Sequence, residues 1–138
     1  MFKTQLEVLR NLQKDHVGIH VGGSVGLFLH GAHLSRWLDH SGSSDLDLVI
    51  PYYQHFNVDD NHSYKSSGND FDITVIIGDV KCDICIDNKQ PYKRIDFDGF
   101  TYNVSCIEHI LAAKCKYANQ KNGEKHIKDL KELIQWKV

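Results

Sequence analysis

Apolar residues return every third or fourth position from Phe2 to Leu12 (Phe2, Leu6, Leu9 and Leu12, with Val8 beside them). That is the spacing of one buried helical face, and it predicts a helix over 2–14. Val17 to Val21 carries no formal charge and predicts a short strand, which gives way to Gly22-Gly23-Ser24. Leu27, Phe28, Leu34 and Leu38 then predict a second helix over 25–37, and the polar run 39–44 a loop. In Asp45-Leu46-Asp47-Leu48-Val49-Ile50 acid and aliphatic residues alternate before the run turns fully apolar, which predicts a strand. Side chains two apart on a strand share a face, so Leu46, Leu48 and Ile50 point into a core and Asp45 and Asp47 stand together on the other side.

The run 51–68 is polar, interrupted by Tyr52, Tyr53, Phe56 and Tyr64. It reads as a short helix or irregular loop over 53–58, an exposed turn over 59–61 and a mobile stretch over 65–69. Phe71 to Ile77 and Val80 to Ile86 flank Gly78-Asp79, a hairpin signal, and a second hairpin is predicted over 94–104. Ser105 with Glu108 three residues later reads as a capping box opening a helix to Ala118, with Ile107, Ile110, Leu111, Ala113 and Ala118 as its core face. Lys114 falls near that face, where a lysine either reaches out to water or meets an anion. A last helix over 124–136 turns Ile127, Leu130, Leu133 and Ile134 inward, with His126 and Asp129 as a local polar pair. The expectation is one α+β domain over 1–138: a small mixed or antiparallel sheet with helices packed on one side.

Composition changes this picture little. The 138 residues, 41% apolar and 25% charged, suit a single globular domain with a sizeable core. A net charge of −2 exerts no global pull on nucleic acid, so such a partner would need a local basic patch. No apolar run reaches membrane-spanning length and the N-terminus lacks a signal-peptide pattern, so a cytoplasmic protein without a membrane partner is expected. Cys82 and Cys85 form a C-x-x-C, but three residues apart on a strand they face opposite sides and cannot share a metal. All four cysteines, Cys106 and Cys115 included, read as structural thiols. His30 and His33 have no third ligand in view and read as surface or half-buried side chains.

Carboxylates carry the candidate chemistry. With fourteen aspartates in the chain, D-x-D pairs arise by chance and must be ranked by context. Asp70-x-Asp72 follows a loop and Asp96-x-Asp98 precedes Gly99, both places where aspartate serves turns. Only Asp45-x-Asp47 opens straight into a buried run. Two acids on one face of an apolar strand repel and lose solvation, and a divalent cation held by hard oxygen ligands removes both costs. Asp83 is a third mid-strand acid between hydrophobic neighbours. If its strand lies beside Asp45 and Asp47, the three converge; Asp87, nearer the strand end, is unremarkable.

Gly23-Ser24, then Ser44-Asp45-Leu46-Asp47-Leu48, then a hairpin strand bearing Asp83, resembles the nucleotidyltransferase superfamily with the DNA polymerase β-type core, over about residues 17–87. The tail, Ile110-Leu111-Ala112-Ala113-Lys114 followed by Lys125-His126-Ile127-Lys128-Asp129-Leu130, is similar to that of the small bacterial AbiEii-like members, although Lys121 stands where an arginine is expected in that group. The resemblance implies a palm-type fold and transfer of a nucleoside monophosphate from an NTP to an acceptor hydroxyl, with release of pyrophosphate. It also implies Mg²⁺ (or Mn²⁺) on Asp45, Asp47 and Asp83 as catalytic ligands, and nucleotide binding by Gly23, Ser24, Lys114 and Asp129. The acceptor would be a small molecule, a protein or an RNA end. The competing expectation is a minimal member of the fold acting as an antitoxin, or as the binding partner of a small toxin.

Overall fold

The computed structural model describes residues 1–40, 44–56, 63–64, 72–120 and 123–137. The expected stretches at 59–61 and 65–69, and Lys121, lie outside the described residues. Among the described residues seven strands form one mixed sheet in the order β3-β4-β5-β2-β1-β7-β6. They are β1 (His20–Val21), β2 (Leu46–Ile50), β3 (Ser63–Tyr64), β4 (Ile73–Ile77), β5 (Val80–Ile86), β6 (Tyr92–Phe97) and β7 (Phe100–Ser105). The helices are α1 (Lys3–Asp15), α2 (Gly23–Leu29), α3 (Trp37–His40), α4 (Ile107–Ala118) and α5 (Glu124–Lys137).

Alternation along the central strands makes the core. Leu46, Leu48 and Ile50 of β2 and Cys82 and Ile84 of β5 are buried, and they join Leu6, Leu9 and Leu12 of α1 with Val25 and Leu27 of α2 in one cluster. Full burial of an aliphatic side chain contributes about 1.5–3 kcal/mol, so these few positions fix which face of β2 and β5 looks inward. The acids of the same strands are thereby turned to the opposite face. Two tight hairpins, turning at Gly78-Asp79 and Asp98-Gly99, form as their sequences predict.

Several expectations are corrected. The predicted strand over 17–21 pairs only at His20–Val21, because Val17 is exposed and Gly18 turns the chain. The predicted helix over 25–37 breaks after Leu29. Gly31 takes φ +97°, a left-handed conformation open to glycine, and the chain reaches Leu34 and Trp37 by a turn. Their burial is kept without the helix, since Trp37 packs edge-on against Phe2 and Phe28, while Leu38 is exposed.

The capping box does not form. Ser105 stays in β7 with its hydroxyl on Gln90, and the cap position falls to Cys106. Helix α4 buries only Ile110 and Lys114, whereas Ala113 faces a cleft. Helix α5 packs mainly on α4 rather than on the sheet, so a narrow stripe suffices: Asp129 and Leu133 are buried, and Ile127 and Ile134 face outward. No helix among the described residues is long and apolar enough to cross a membrane.

Candidate functional site

The two acids in the middle of the sheet are neighbours because of strand register. β2 and β5 run parallel with Leu46 opposite Cys82 and Asp47 opposite Asp83. On β4, Thr74 pairs with Asp83, and its hydroxyl donates to Asp83 Oδ1 at 2.9 Å. On the other side of β2, the Gly22 amide donates to the Asp47 carbonyl at 2.8 Å. The next residue, Gly23, has φ +57°, and a Cβ there would collide with the Asp47 carboxylate. The glycine at this turn is thus demanded twice, by backbone conformation and by the carboxyl group lying against it.

Asp45 stands apart from this pair. It precedes β2 and is exposed, and its Oδ2 lies 3.7 Å from Lys81 Nζ, which in turn lies 3.9 Å from Asp83 Oδ2. Lys81 is itself about half exposed, so water screens both ion pairs. Asp47 is strongly perturbed. Burial, then the charge of Asp83, then that of Asp45, push its carboxyl up to about 7, against weaker opposition from Lys114 and Lys125. Asp83 is raised as well, chiefly by burial, with the Thr74 hydrogen bond working the other way.

The facing wall is basic. Arg36 donates from Nε to Asp129 Oδ1 at 3.0 Å and from Nη2 to Oδ2 at 2.9 Å, a two-pronged pair, and Nη2 also donates to Ser24 Oγ at 3.0 Å. Lys114 Nζ donates to the same Asp129 Oδ2 at 2.8 Å and lies 3.4 Å from His126 Nδ1. Asp129 is buried, yet these two cations hold its carboxyl below the ordinary carboxylate range. His126 is pushed down to about 4, first by burial and then by the Lys114 charge, so it is neutral at pH 7 and Nδ1 accepts from the ammonium. Burial also lowers Lys114, which its bond to Asp129 opposes.

Between the two walls lies a cleft of about 510 Å³, reached by Gly23, Ser24, Asp45, Asp47, Asp83 and Lys114. Of the residues singled out in the sequence, Asp47, Asp83 and Gly23 come together tightly and Asp45 sits at the rim. Lys114 faces them with Asp129 bonded behind it. Ser24 is at the cleft, but its hydroxyl accepts from Arg36 and it does not cap α2.

Arg36 escaped the sequence reading because it fell inside a predicted helix. A signal existed: it is the only formal charge between Val21 and Leu38. Asp87 accepts from the Lys89 amide in a local turn, Asp72 from the Ile86 amide and Asp96 from Thr101, as turn and strand-end aspartates do.

As the side chains stand, no group of three or more His, Cys, Asp or Glu among the described residues is gathered to hold a metal ion. The donor chemistry at Asp47 and Asp83 nevertheless suits a hard divalent cation: two paired carboxylates, one lifted to about 7 by burial and like charge, with only a half-exposed lysine bridging to Asp45. No protein-family model, curated protein or solved structure matches the chain.

Proposed function

We propose that the protein is a metal-dependent nucleotidyltransferase that moves a nucleoside monophosphate from an NTP to an acceptor hydroxyl and releases pyrophosphate. The observation that carries the reading is the direct pairing of Asp47 with Asp83 on adjacent parallel strands, under a Gly22-Gly23 turn and across a cleft from Arg36 and Lys114. The palm-type resemblance in the sequence, with its Gly-Ser and D-x-D motifs, points the same way.

In this reading Asp47 and Asp83, with Asp45 from the rim, hold Mg²⁺ or Mn²⁺. Held there, such an ion would offset the carboxylate charge and supply electrostatic stabilisation to the transferring phosphoryl group. The bare Gly23 backbone lets the Asp47 carboxylate lie against the turn, at the edge of the cleft. Lys114 and Arg36 draw the triphosphate tail, and Asp129 orients both cations so that they need not reorganise when it arrives. The Ser24 hydroxyl, fixed by Arg36, borders the same space. Asp83, steadied by Thr74, accepts the proton that the acceptor hydroxyl loses.

Thermal melting with each of the four NTPs, in Mg²⁺ and in Mn²⁺, tests the reading. An NTP with metal should stabilise the protein more than either alone. A ligand at a hundred times its Kd contributes about 2.7 kcal/mol, a shift of several degrees in a domain this size. No shift with any NTP in either metal would overturn it.

A further inference from the structure

The cleft is polarised along α4. Its C-terminal half presents Lys114, joined by Arg36 and Lys125, whereas the other end is made of Val49, Cys85, Gln90, Ser105 and His109. Register places that second end. Val49 and Cys85 are paired, each two residues beyond its aspartate on the same face, and a Cβ at Gly22 would lie 3.6 Å from Ser105 Oγ. At about 1.5 Å of rise per residue, Lys114 stands some 7–8 Å along α4 from His109. Among the described residues no lysine or arginine lines this end.

Resting on the nucleotidyl-transfer reading above, we propose that the acceptor is a small uncharged hydroxyl compound seated at the Val49–Gln90–Ser105–His109 end. In an in-line displacement the entering and leaving oxygens lie on opposite sides of phosphorus. The cations attract the departing pyrophosphate, so the acceptor approaches from the uncharged end. Its oxygen bonds to the α-phosphorus as the bond from that phosphorus to the oxygen bridging to the β-phosphate breaks, the electron pair leaving with pyrophosphate. The hydroxyl proton passes to the Asp83 carboxylate and on to water.

Ser105 Oγ donates to Gln90 Oε1, which leaves the Gln90 amide N–H groups and the His109 ring to hydrogen-bond a polar, neutral molecule over the apolar Val49 floor. A nucleic-acid end would bring phosphodiesters, which call for lysine or arginine there.

The test incubates the full chain with Mg²⁺, α-phosphate-labelled NTPs and cell extract, then separates small metabolites, RNA and protein. Label is expected in a small product that resists nuclease and protease. Gln90→Leu should raise the KM for the metabolite fraction about tenfold while the NTP-induced melting shift persists. Label in RNA or in protein would overturn the proposal, as would no label in any fraction from a protein whose melting still responds to NTP. Loss of the NTP response itself would remove the nucleotidyl-transfer reading, and this inference with it.

Discussion

Asp47 lines the cleft and Asp129 lies buried behind its basic wall, and their surroundings push these two carboxylates in opposite directions. Asp129 is buried with Arg36 and Lys114 bonded to it, and its carboxyl falls below the usual range. Asp47 has Asp83 beside it and Asp45 nearby, with no cation in contact among the described residues, and its carboxyl rises to about 7. Burial raises both; partners decide the sign. On the basic wall Arg36 and Lys114 are each bonded to an acid, whereas on the acidic wall the half-exposed Lys81 reaches Asp45 and Asp83 but not Asp47. A carboxylate kept in that condition is the feature on which the proposed metal site rests.

The largest effect that could break this contrast concerns transfer itself. Asp47→Asn, and likewise Asp83→Asn, should lower the labelling rate by about a thousandfold or more, the scale on which removal of one electrostatic stabiliser acts. A rate within about tenfold of the parent would place the chemistry elsewhere. Next comes stability. Asp129→Ala leaves the buried Lys114 and the half-buried Arg36 without their counter-ion and should cost about 3–5 kcal/mol in urea unfolding. A cost under about 1 kcal/mol would show that the basic wall does not depend on that acid. Because the folded carboxyl of Asp129 titrates below its unfolded value, its contribution is full above the ordinary carboxylate range and is lost as pH falls through the folded value.

Asp47 has the opposite linkage. Between about 4 and about 7 the folded state binds more protons than the unfolded one, so this group's effect is to lower stability as pH rises across that window. Asp47→Asn should therefore stabilise the metal-free protein by about 1–3 kcal/mol at pH 8 and by nearly nothing at pH 4. A gain that does not change with pH would sharpen the comparison against us. The smallest effect is expected at Asp87, which shares its strand face with Asp83 but accepts from the Lys89 amide in a local turn. Asp87→Asn should move unfolding by less than about 0.5 kcal/mol. A loss of transfer equal to that at Asp83 would mean the strand register is misread.

Much of this was legible where chemistry is local. Alternation in Leu46–Ile50 turns one side to the core and the acids to the other by geometry alone, and the hairpin at Gly78-Asp79 follows from residues that accept positive φ. The ranking of Asp45-x-Asp47 over the other pairs rested on neighbours in the chain, and Asp72 and Asp96 do serve turns and strand ends. What was not legible depended on distant partners. The helix after Ser24 broke at Gly31 because Trp37 finds its packing on Phe2 and Phe28 without a continuous helix. Ile127 and Ile134 face outward because α5 packs on α4 instead of the sheet.

By itself, then, the amino-acid order determined an α+β chain, the faces of its strands and the three acids worth weighing. Periodicity and turn propensity act over a few residues, and those properties need no knowledge of the rest. Only the tertiary structure decided that Asp47 and Asp83 are direct neighbours while Asp45 stands at the rim, and that Arg36 and Lys114 converge on Asp129 across more than ninety and fifteen positions of chain respectively. Electrostatics depends on distance and on exclusion of water, neither of which is written along the backbone. Two aspartates of one chain can thus finish on opposite sides of their ordinary pKa.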